Sequence, residues 1–357
     1  MPRTKKDIGI LILIVIMANS IIFWYFVKGE SSIIYSFFNK TNLFILVFIL
    51  GFYGKSRLSK ISNVLQPYKK QSIFLVLIGS IYLIFSLGLY FSWYSEYMEF
   101  KFVVRNDFGQ WNHMDKIGHI YTTYLQCFVL FTWSSWFRFN TKNSLWIAII
   151  GSLIFQSTIE VFDGFSQSWG FSITDMISNV IGILIFIAQQ IFFKKQICTI
   201  KFSSILEKYS AFNVIGDEGT LVSSMLKRDY VFGETKLENY LKDYNAQTYW
   251  ISINLKSIFR NTKLLPKWLN LAIGYGANNV YGGNVNTWII NDELFIPDPE
   301  LYPRTKQLFL SFDIDFRYVK TRSSIFNYVL YTLNIFRFPL PTIEINEFGI
   351  IKFHWLL

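Results

Sequence analysis

Hydrophobic residues in the first 195 positions fall into long runs, and six of these runs approach the length of a membrane span. The runs are Asp7–Val27, Leu43–Tyr53, Ser72–Trp93, Ile117–Phe137, Leu145–Phe162 and Ile173–Phe193. A helix that crosses the hydrocarbon core needs roughly 20 mostly apolar residues, so the second run must extend back toward Ser31. The pattern predicts a mainly α fold, namely a polytopic helical membrane bundle with about six transmembrane helices.

The pattern changes after residue 195, where no later run is long enough to span a bilayer. Apolar and polar residues alternate through Leu308–Val319, and this period of two predicts a strand with one buried face. Thr342–Asn346 and Ile350–Trp355 flank a short Gly-containing turn and predict a hairpin, whereas the glycines of Ala272–Asn284 predict a connection. We therefore expect a small C-terminal α+β region.

These changes predict three parts of the chain. Residues 1–70 are expected to hold two N-terminal spans and a basic loop, residues 71–195 a transmembrane core with a polar pocket, and residues 196–357 a membrane-associated α+β region. Charged residues make up only 16% of the sequence, against about 25% in soluble domains. This low share of charge supports the membrane interpretation.

The net charge of +10 comes from Lys and Arg that concentrate in alternate short loops. Such loops face the cytoplasm, so both ends of the chain are predicted to lie there. If the second apolar run does not cross the membrane, the C-terminal region is predicted on the opposite side. Nucleic-acid binding would require a basic cluster on one soluble face, and none is visible. Cys127 and Cys198 predict neither a disulfide framework nor a lipid-modified N-terminus.

Three of the apolar runs carry acid, base and amide side chains at one end. Residues three or four positions apart share a helix face, and all three polar ends are predicted on the same side of the membrane. The stripes are therefore expected to meet in one outward-facing pocket, and ionisable groups in apolar spans indicate a functional site. The candidate catalytic residues are His119, Glu160, Asp163 and Asp175, and the candidate binding residues are Asp115, Lys116, Tyr124 and Asn179.

This set of side chains supports two kinds of chemistry. His119 with several carboxylates could ligate a divalent cation, with Asn179 as a neutral ligand. Alternatively, Glu160 or Asp163 could set the proton of His119 for acid–base catalysis. The sequence specifies no cofactor. A purely structural explanation also stays open. Asp115 could be an N-cap, Asp175 could form a capping box with Ser172, and Lys116 could extend toward the membrane interface. The whole set could then serve only to join the helices through hydrogen bonds.

At these residues the chain resembles a known family. The motif D-K-x-G-H at Asp115–His119 and the motif E-V-F-D-G-F-S-x-x-W-G-F-S-x-x-D-x-x-x-N-x-x-G from Glu160 resemble the YfiM-like family, bacterial envelope proteins described as predicted lipoproteins of unknown function. Asn245–Asn254, Pro266–Ala277 and Leu310–Phe316 extend the resemblance, which runs from about Trp93 to the C-terminus. The order of Asp-Lys-x-x-His, Glu, Asp and Asn is also similar to VanZ-like membrane proteins.

The resemblance implies an envelope location and no established activity. We expect a multi-pass protein of the bacterial inner membrane whose partners are membrane lipids. Its pocket would bind a metal or a lipid headgroup and act on an envelope lipid or lipid-linked precursor. The alternative is a non-catalytic scaffold or assembly factor whose polar residues only join helices, so the sequence leaves open whether the protein is an enzyme.

Overall fold

The computed structural model describes residues 69–95, 97–98, 101–166, 168–205, 212–232, 239–240 and 242–357. The first two predicted spans fall outside these residues. Nothing in the structure tests the predicted boundaries between the three parts of the chain.

Four long helices match the last four predicted apolar runs. They are α1 (Lys69–Leu89), α2 (Met114–Trp136), α3 (Thr141–Gly164) and α4 (Ile173–Phe193). The side chain of Asn140 caps α3 and that of Ser172 caps α4, as their residue types favour. Helix α2 packs between α3 and α4, and Gly182 permits a close approach because a Cβ there would lie 2.5 Å from the Ile120 carbonyl oxygen of α2.

Three of these helices are long and apolar enough to cross a bilayer, judged by length and composition alone. They are α1, α3 and α4 among the residues that the structure describes; α2, which carries the His119 stripe, is not one of them. Large apolar side chains such as Ile150, Ile154, Ile177 and Leu184 are exposed on α3 and α4. The bundle therefore presents an apolar surface outward.

The rest of the described chain contains twelve strands and three shorter α-helices. The strands are β1 (Val104–Arg105), β2 (Phe171–Ser172), β3 (Cys198–Ser204), β4 (Asn213–Ile215), β5 (Leu221–Ser223), β6 (Gln247–Asn254), β7 (Leu269–Asn278), β8 (Trp288–Ile290), β9 (Glu293–Phe295), β10 (Thr305–Ile314), β11 (Thr342–Asn346) and β12 (Ile351–His354). The helices are α5 (Ser224–Phe232), α6 (Leu255–Ile258) and α7 (Ser324–Leu333). Six strands form one antiparallel sheet in the order β12-β11-β10-β7-β6-β3.

The predicted fold class is wrong. The protein mixes a helical bundle with a six-stranded antiparallel sheet, so it is not a mainly helical membrane bundle with a small appended region. The predicted C-terminal hairpin is confirmed by the pairing of β11 with β12. The predicted glycine-rich connection is wrong in its first half, which belongs to β7, where the missing side chain of Gly274 leaves room for the Trp250 ring.

The sheet and the bundle share one apolar core. Tyr121 of α2 stacks on Phe202 of β3 with ring centroids 5.7 Å apart, and it contacts Tyr249 of β6 at 5.6 Å. Only this end of the sheet is covered by α2. On β10 the polar residues Ser311 and Asp313 are buried, while Leu310 on the other face is exposed.

Candidate functional site

A strained turn leads into α2. Trp111, Asn112 and His113 have φ values of 53°, 49° and 64°, in the left-handed region that residues with a side chain rarely adopt. The Trp111 amide donates a 2.7 Å hydrogen bond to the Gly283 carbonyl, and the Tyr275 hydroxyl donates a 2.6 Å bond to the Asn112 carbonyl. Loops and strands of the C-terminal half thus fix the start of the helix that carries the candidate site.

Lys116 lies at the centre of the site among three carboxylates. Its Nζ atom is 2.7 Å from Asp107, 2.9 Å from Asp115 and 2.6 Å from Asp175, and its side chain is 7% exposed. Burial lowers the pKa of Lys116, but these carboxylates outweigh burial and raise the pKa above its usual value. Lys116 is therefore a buried, charged side chain at the centre of the cluster. The predicted extension of its side chain toward the membrane interface is wrong.

Two of the neighbouring carboxylates, Asp107 and Asp115, have a lowered pKa, whereas burial raises the pKa of Asp175 to about 6 and that of Glu160 to about 8. Burial raises the pKa of Asp107, but hydrogen bonds from Lys116, Ser172 and Thr174 lower it to about 2. Burial likewise raises the pKa of Asp115, and the charges of His119 and Lys116 bring it below its usual value. Both groups are therefore ionised at neutral pH.

His119 lies one helical turn beyond Asp115 and faces acids from three helices. Its Nε2 atom is 3.7 Å from Asp115 Oδ1 and 3.8 Å from Asp175 Oδ1, and its Nδ1 atom is 3.6 Å from Glu160 Oε1. Nδ1 also forms a 3.1 Å hydrogen bond with Asn179 Oδ1. Burial lowers the pKa of His119, but the three carboxylates more than offset it and leave the pKa raised.

Glu160 is the most deeply buried acid of the cluster, with 0% of the residue exposed. Its Oε2 atom accepts a 3.3 Å hydrogen bond from the Ser172 amide, whereas its Oε1 atom, which faces His119, accepts none from the described residues. The Ser172 hydroxyl caps α4 by accepting from the Asp175 amide at 3.1 Å. Glu160 therefore takes the place expected of Asp175 in the capping box, and Asp175 is free to pair with Lys116 and His119.

The structure brings six of the eight predicted residues into one cluster around Lys116 and His119. They are Asp115, Lys116, His119, Glu160, Asp175 and Asn179. Asp163 lies at the edge, where the Tyr94 hydroxyl donates a 2.6 Å hydrogen bond to it. Tyr124 lies apart, since its hydroxyl bonds to Gln196 and to the Cys198 carbonyl. Asp115 is not an N-cap, because His113 precedes α2 in that position.

Three further residues of the cluster were not predicted. Asp107 accepts hydrogen bonds from Ser172 and Thr174 in addition to its ion pair with Lys116. Thr123 donates to Asn179 Oδ1 at 2.8 Å, and Tyr244 donates to Asp115 Oδ1 at 3.0 Å. Thr123 could have been found from the sequence, because it follows His119 by four positions on the same helix face. Asp107 lies in a loop, and Tyr244 is 129 positions from Asp115, so no local sequence pattern marks Asp107 or Tyr244.

The cluster contains a donor set that could hold a metal ion. One ligand atom each from Asp115, His119 and Asp175 lies within 4.8 Å of the other two. With Nδ1 of His119 directed at Asn179, its Nε2 atom faces the two aspartates. A histidine ligand held through its other ring nitrogen is the usual arrangement at metal sites.

The comparisons with known proteins fall on this part of the chain. The family model described as "Predicted periplasmic lipoprotein (DUF2279)" matches residues 107–189. No curated protein and no solved structure matches the chain. The match supports the predicted envelope association and does not extend to VanZ-like membrane proteins.

The family match also corrects the predicted location. The length of the apolar runs predicts a multi-pass protein of the bacterial inner membrane. That prediction is wrong, because the matched family is described as a predicted periplasmic lipoprotein. The matched segment contains all eight predicted site residues and the unpredicted Asp107. Residues 107–189 thus match the model of a predicted periplasmic lipoprotein family, in agreement with the resemblance of the motifs around His119 and Glu160.

Proposed function

We propose that this envelope protein binds a divalent metal ion through Asp115, His119 and Asp175 and acts on the polar part of an envelope lipid or lipid-linked precursor. The observation that carries the proposal is the excess of acid in the cluster. Four carboxylates face two cationic side chains, and the buried Glu160 Oε1 atom accepts no hydrogen bond from the described residues. Burial raises the pKa of Glu160 to about 8, so at neutral pH the negative surplus is carried by the three aspartates. A bound cation would stabilise that surplus.

The donor set narrows the class of ion. Carboxylate oxygens suit Mg²⁺, Ca²⁺ and Mn²⁺, and an added imidazole shifts the preference toward Mn²⁺ or Zn²⁺. Such an ion supplies Lewis-acid polarisation and lowers the pKa of a bound water. Around it, Asn179 holds the His119 ring through Nδ1, while Lys116 holds Asp115 and Asp175 in place through their ion pairs.

Metal content of the purified full-length protein tests this proposal. Wild-type protein loaded with Mn²⁺ or Zn²⁺ and then desalted should retain about one ion per chain. His119→Ala and Asp175→Asn should bind at least about tenfold more weakly. The matched control is His354→Ala, because His354 lies in β12 and pairs with Glu344 at 2.6 Å. Equal retention in all four proteins, or retention in none, would refute the proposed site.

The second candidate function is a non-catalytic scaffold or assembly factor. It is supported by the way Lys116 already joins three carboxylates from the loop before α2, from α2 and from α4, while Tyr244 ties the C-terminal half to Asp115. In that case His119→Ala would leave metal content unchanged. Substitution of Lys116 would nevertheless unfold the protein, because the cluster would serve only to join its parts.

A further inference from the structure

The six-stranded sheet has its apolar side chains on the outside. Nine of them, from five strands, project from one face and are each between 42% and 68% exposed: Ile251, Ile273, Leu308, Leu310, Phe312, Ile343, Ile345, Ile351 and Phe353. The strand register places them in rows, with Ile251 opposite Ile273, Ile273 opposite Leu310, and Leu310 opposite Ile343. We call this surface the apolar sheet face.

The opposite face of the sheet is buried and largely polar, and several of its charged and amide groups pair with one another. Lys201 and Asp313, both 0% exposed, form a 2.7 Å ion pair, and Ser252 donates to Asp313 at 2.6 Å. Gln307 donates to Glu344 at 2.7 Å. Turning the apolar face inward would break these buried ion pairs and hydrogen bonds.

The apolar sheet face is larger than a solitary surface patch. Its nine side chains expose on the order of 800 Å², whereas the largest patch on a typical soluble monomer is about 300–600 Å². Strands that alternate apolar-out and polar-in are characteristic of sheets that face lipid. An antiparallel sheet in water shows the reverse, with its apolar face on the core.

From these observations we propose that the apolar sheet face lies against the acyl chains of a lipid layer. The face continues the surface through which Phe202 and Tyr249 pack on α2 of the bundle. The outward sides of α3 and α4 are apolar as well. Hydrocarbon can cover helix and sheet alike, because it requires no match of shape or hydrogen bonds, whereas a protein partner would.

The residues around the face fit the boundary of a lipid layer. Trp355, 77% exposed, and Trp268, 43% exposed, lie at strand ends, where Trp is favoured at membrane–water interfaces. Lys306, on the same face of β10 as Leu308 and Leu310, is exposed. Positive charge near a membrane surface attracts anionic lipid headgroups.

Nitroxide accessibility of the full-length protein tests this proposal independently of any metal. Spin labels are attached to single cysteines introduced by Leu310→Cys, Ile343→Cys and Phe353→Cys in a Cys127→Ala, Cys198→Ala background. The matched controls are Lys263→Cys and Glu300→Cys, at exposed polar positions of the same half. Each protein is mixed with vesicles of phosphatidylethanolamine and phosphatidylglycerol, and collisions with oxygen and with a water-soluble nickel chelate are compared.

Labels on the apolar sheet face should collide preferentially with oxygen, which concentrates in hydrocarbon, while both controls prefer the nickel chelate. A preference for the nickel chelate at Leu310, Ile343 and Phe353 would show that the face meets water and overturn the proposal. Shielding of these positions from both reagents would assign the face to a protein occupant, such as a second copy, and would also overturn it. So would failure of the protein to associate with the vesicles.

Discussion

Buried polar side chains occur in both halves of the molecule, but the two sets differ in the ratio of acidic to basic groups. In the sheet, Lys201 and Asp313 pair one to one, and their side chains are fully enclosed. In the bundle, Lys116 contacts three carboxylates and His119 contacts three, while one oxygen atom of Glu160 accepts no hydrogen bond from the residues that the structure describes. A balanced network stabilises a fold, whereas a surplus of one charge indicates a place where a ligand completes the set.

Loss of the Lys116 ammonium should have the largest effect on stability. Lys116→Met removes the ammonium that all three aspartates contact and leaves Asp115 and Asp175 with His119 alone. Breaking a buried pair typically costs about 3–5 kcal/mol. We expect a loss near the upper end, about 5 kcal/mol in the free energy of unfolding, measured by chemical denaturation. The control Lys101→Met, at an exposed position, should change stability by less than about 0.5 kcal/mol.

The Lys116→Met variant also distinguishes a site from a purely structural network. If the surplus of acid binds a divalent cation, added Mn²⁺ should restore part of the lost stability, because ligands that bind only the folded state stabilise it. Stability that falls by less than about 1 kcal/mol would contradict the view of Lys116 as the centre of the cluster.

The balanced pair in the sheet should behave differently. Lys201→Met leaves the enclosed Asp313 carboxylate without its cation and should cost about 4 kcal/mol. The double variant Lys201→Met, Asp313→Leu should recover most of that loss, since an apolar pair of similar volume often replaces a buried ion pair at little expense in stability. Added divalent metal should change neither variant. A double variant as unstable as the single one would show that Asp313 serves more than this pair.

The orientation of the sheet can be tested on two neighbouring phenylalanines of β10. Phe309 is 2% exposed and lies 5.7 Å from the Trp250 ring, while Phe312 is 54% exposed on the apolar sheet face. Phe309→Ala should cost about 3 kcal/mol, and Phe312→Ala less than about 1 kcal/mol in lipid-free solution. A larger loss of stability for Phe312→Ala than for Phe309→Ala would show that the apolar sheet face is the packed face of the sheet.

The sequence predicted the residues of the site better than it predicted the fold. The reason is that the site is marked by patterns between residues close in sequence, whereas the fold depends on contacts between distant residues. Spacings of three and four within a helix are local, so they suffice to predict that His119 and Asn179 lie on facing stripes. The contact of Tyr244 with Asp115 joins residues 129 positions apart, and no local pattern records it. The alternation in β10 predicted a strand, but a period of two does not say which face is buried.

The same limit explains the wrong fold class and location. Long apolar runs were interpreted as membrane spans because their length and composition permit it, and α1, α3 and α4 still meet that criterion. Length and composition, however, do not show where a helix resides. In the C-terminal half, strands with polar buried positions, such as Gln307 and Ser311, resemble surface segments in sequence, and the extent of the sheet was therefore underestimated.

The smallest predicted effect concerns the strained turn that connects the two halves. Asn112 has a left-handed backbone, and its buried Nδ2 atom donates no hydrogen bond within the described structure. Glycine adopts this conformation without a steric penalty and removes the unpaired donor, so Asn112→Gly should leave stability unchanged or raise it by about 1 kcal/mol. Asn112→Ala, the matched control, keeps a Cβ in the left-handed region and should cost about 1 kcal/mol.

Measuring the metal affinity of Asn112→Gly and Asn112→Ala tests whether the strained turn preserves the geometry of the metal site. The turn fixes the start of α2 through the Trp111–Gly283 and Tyr275–Asn112 hydrogen bonds, so a more pliant glycine should loosen the placement of Asp115 and His119. We therefore expect Asn112→Gly to bind Mn²⁺ more weakly than wild type although it is at least as stable, because strain at functional sites commonly preserves a binding geometry. If affinity and stability rise or fall together in both variants, the turn is only a structural connection between the bundle and the sheet.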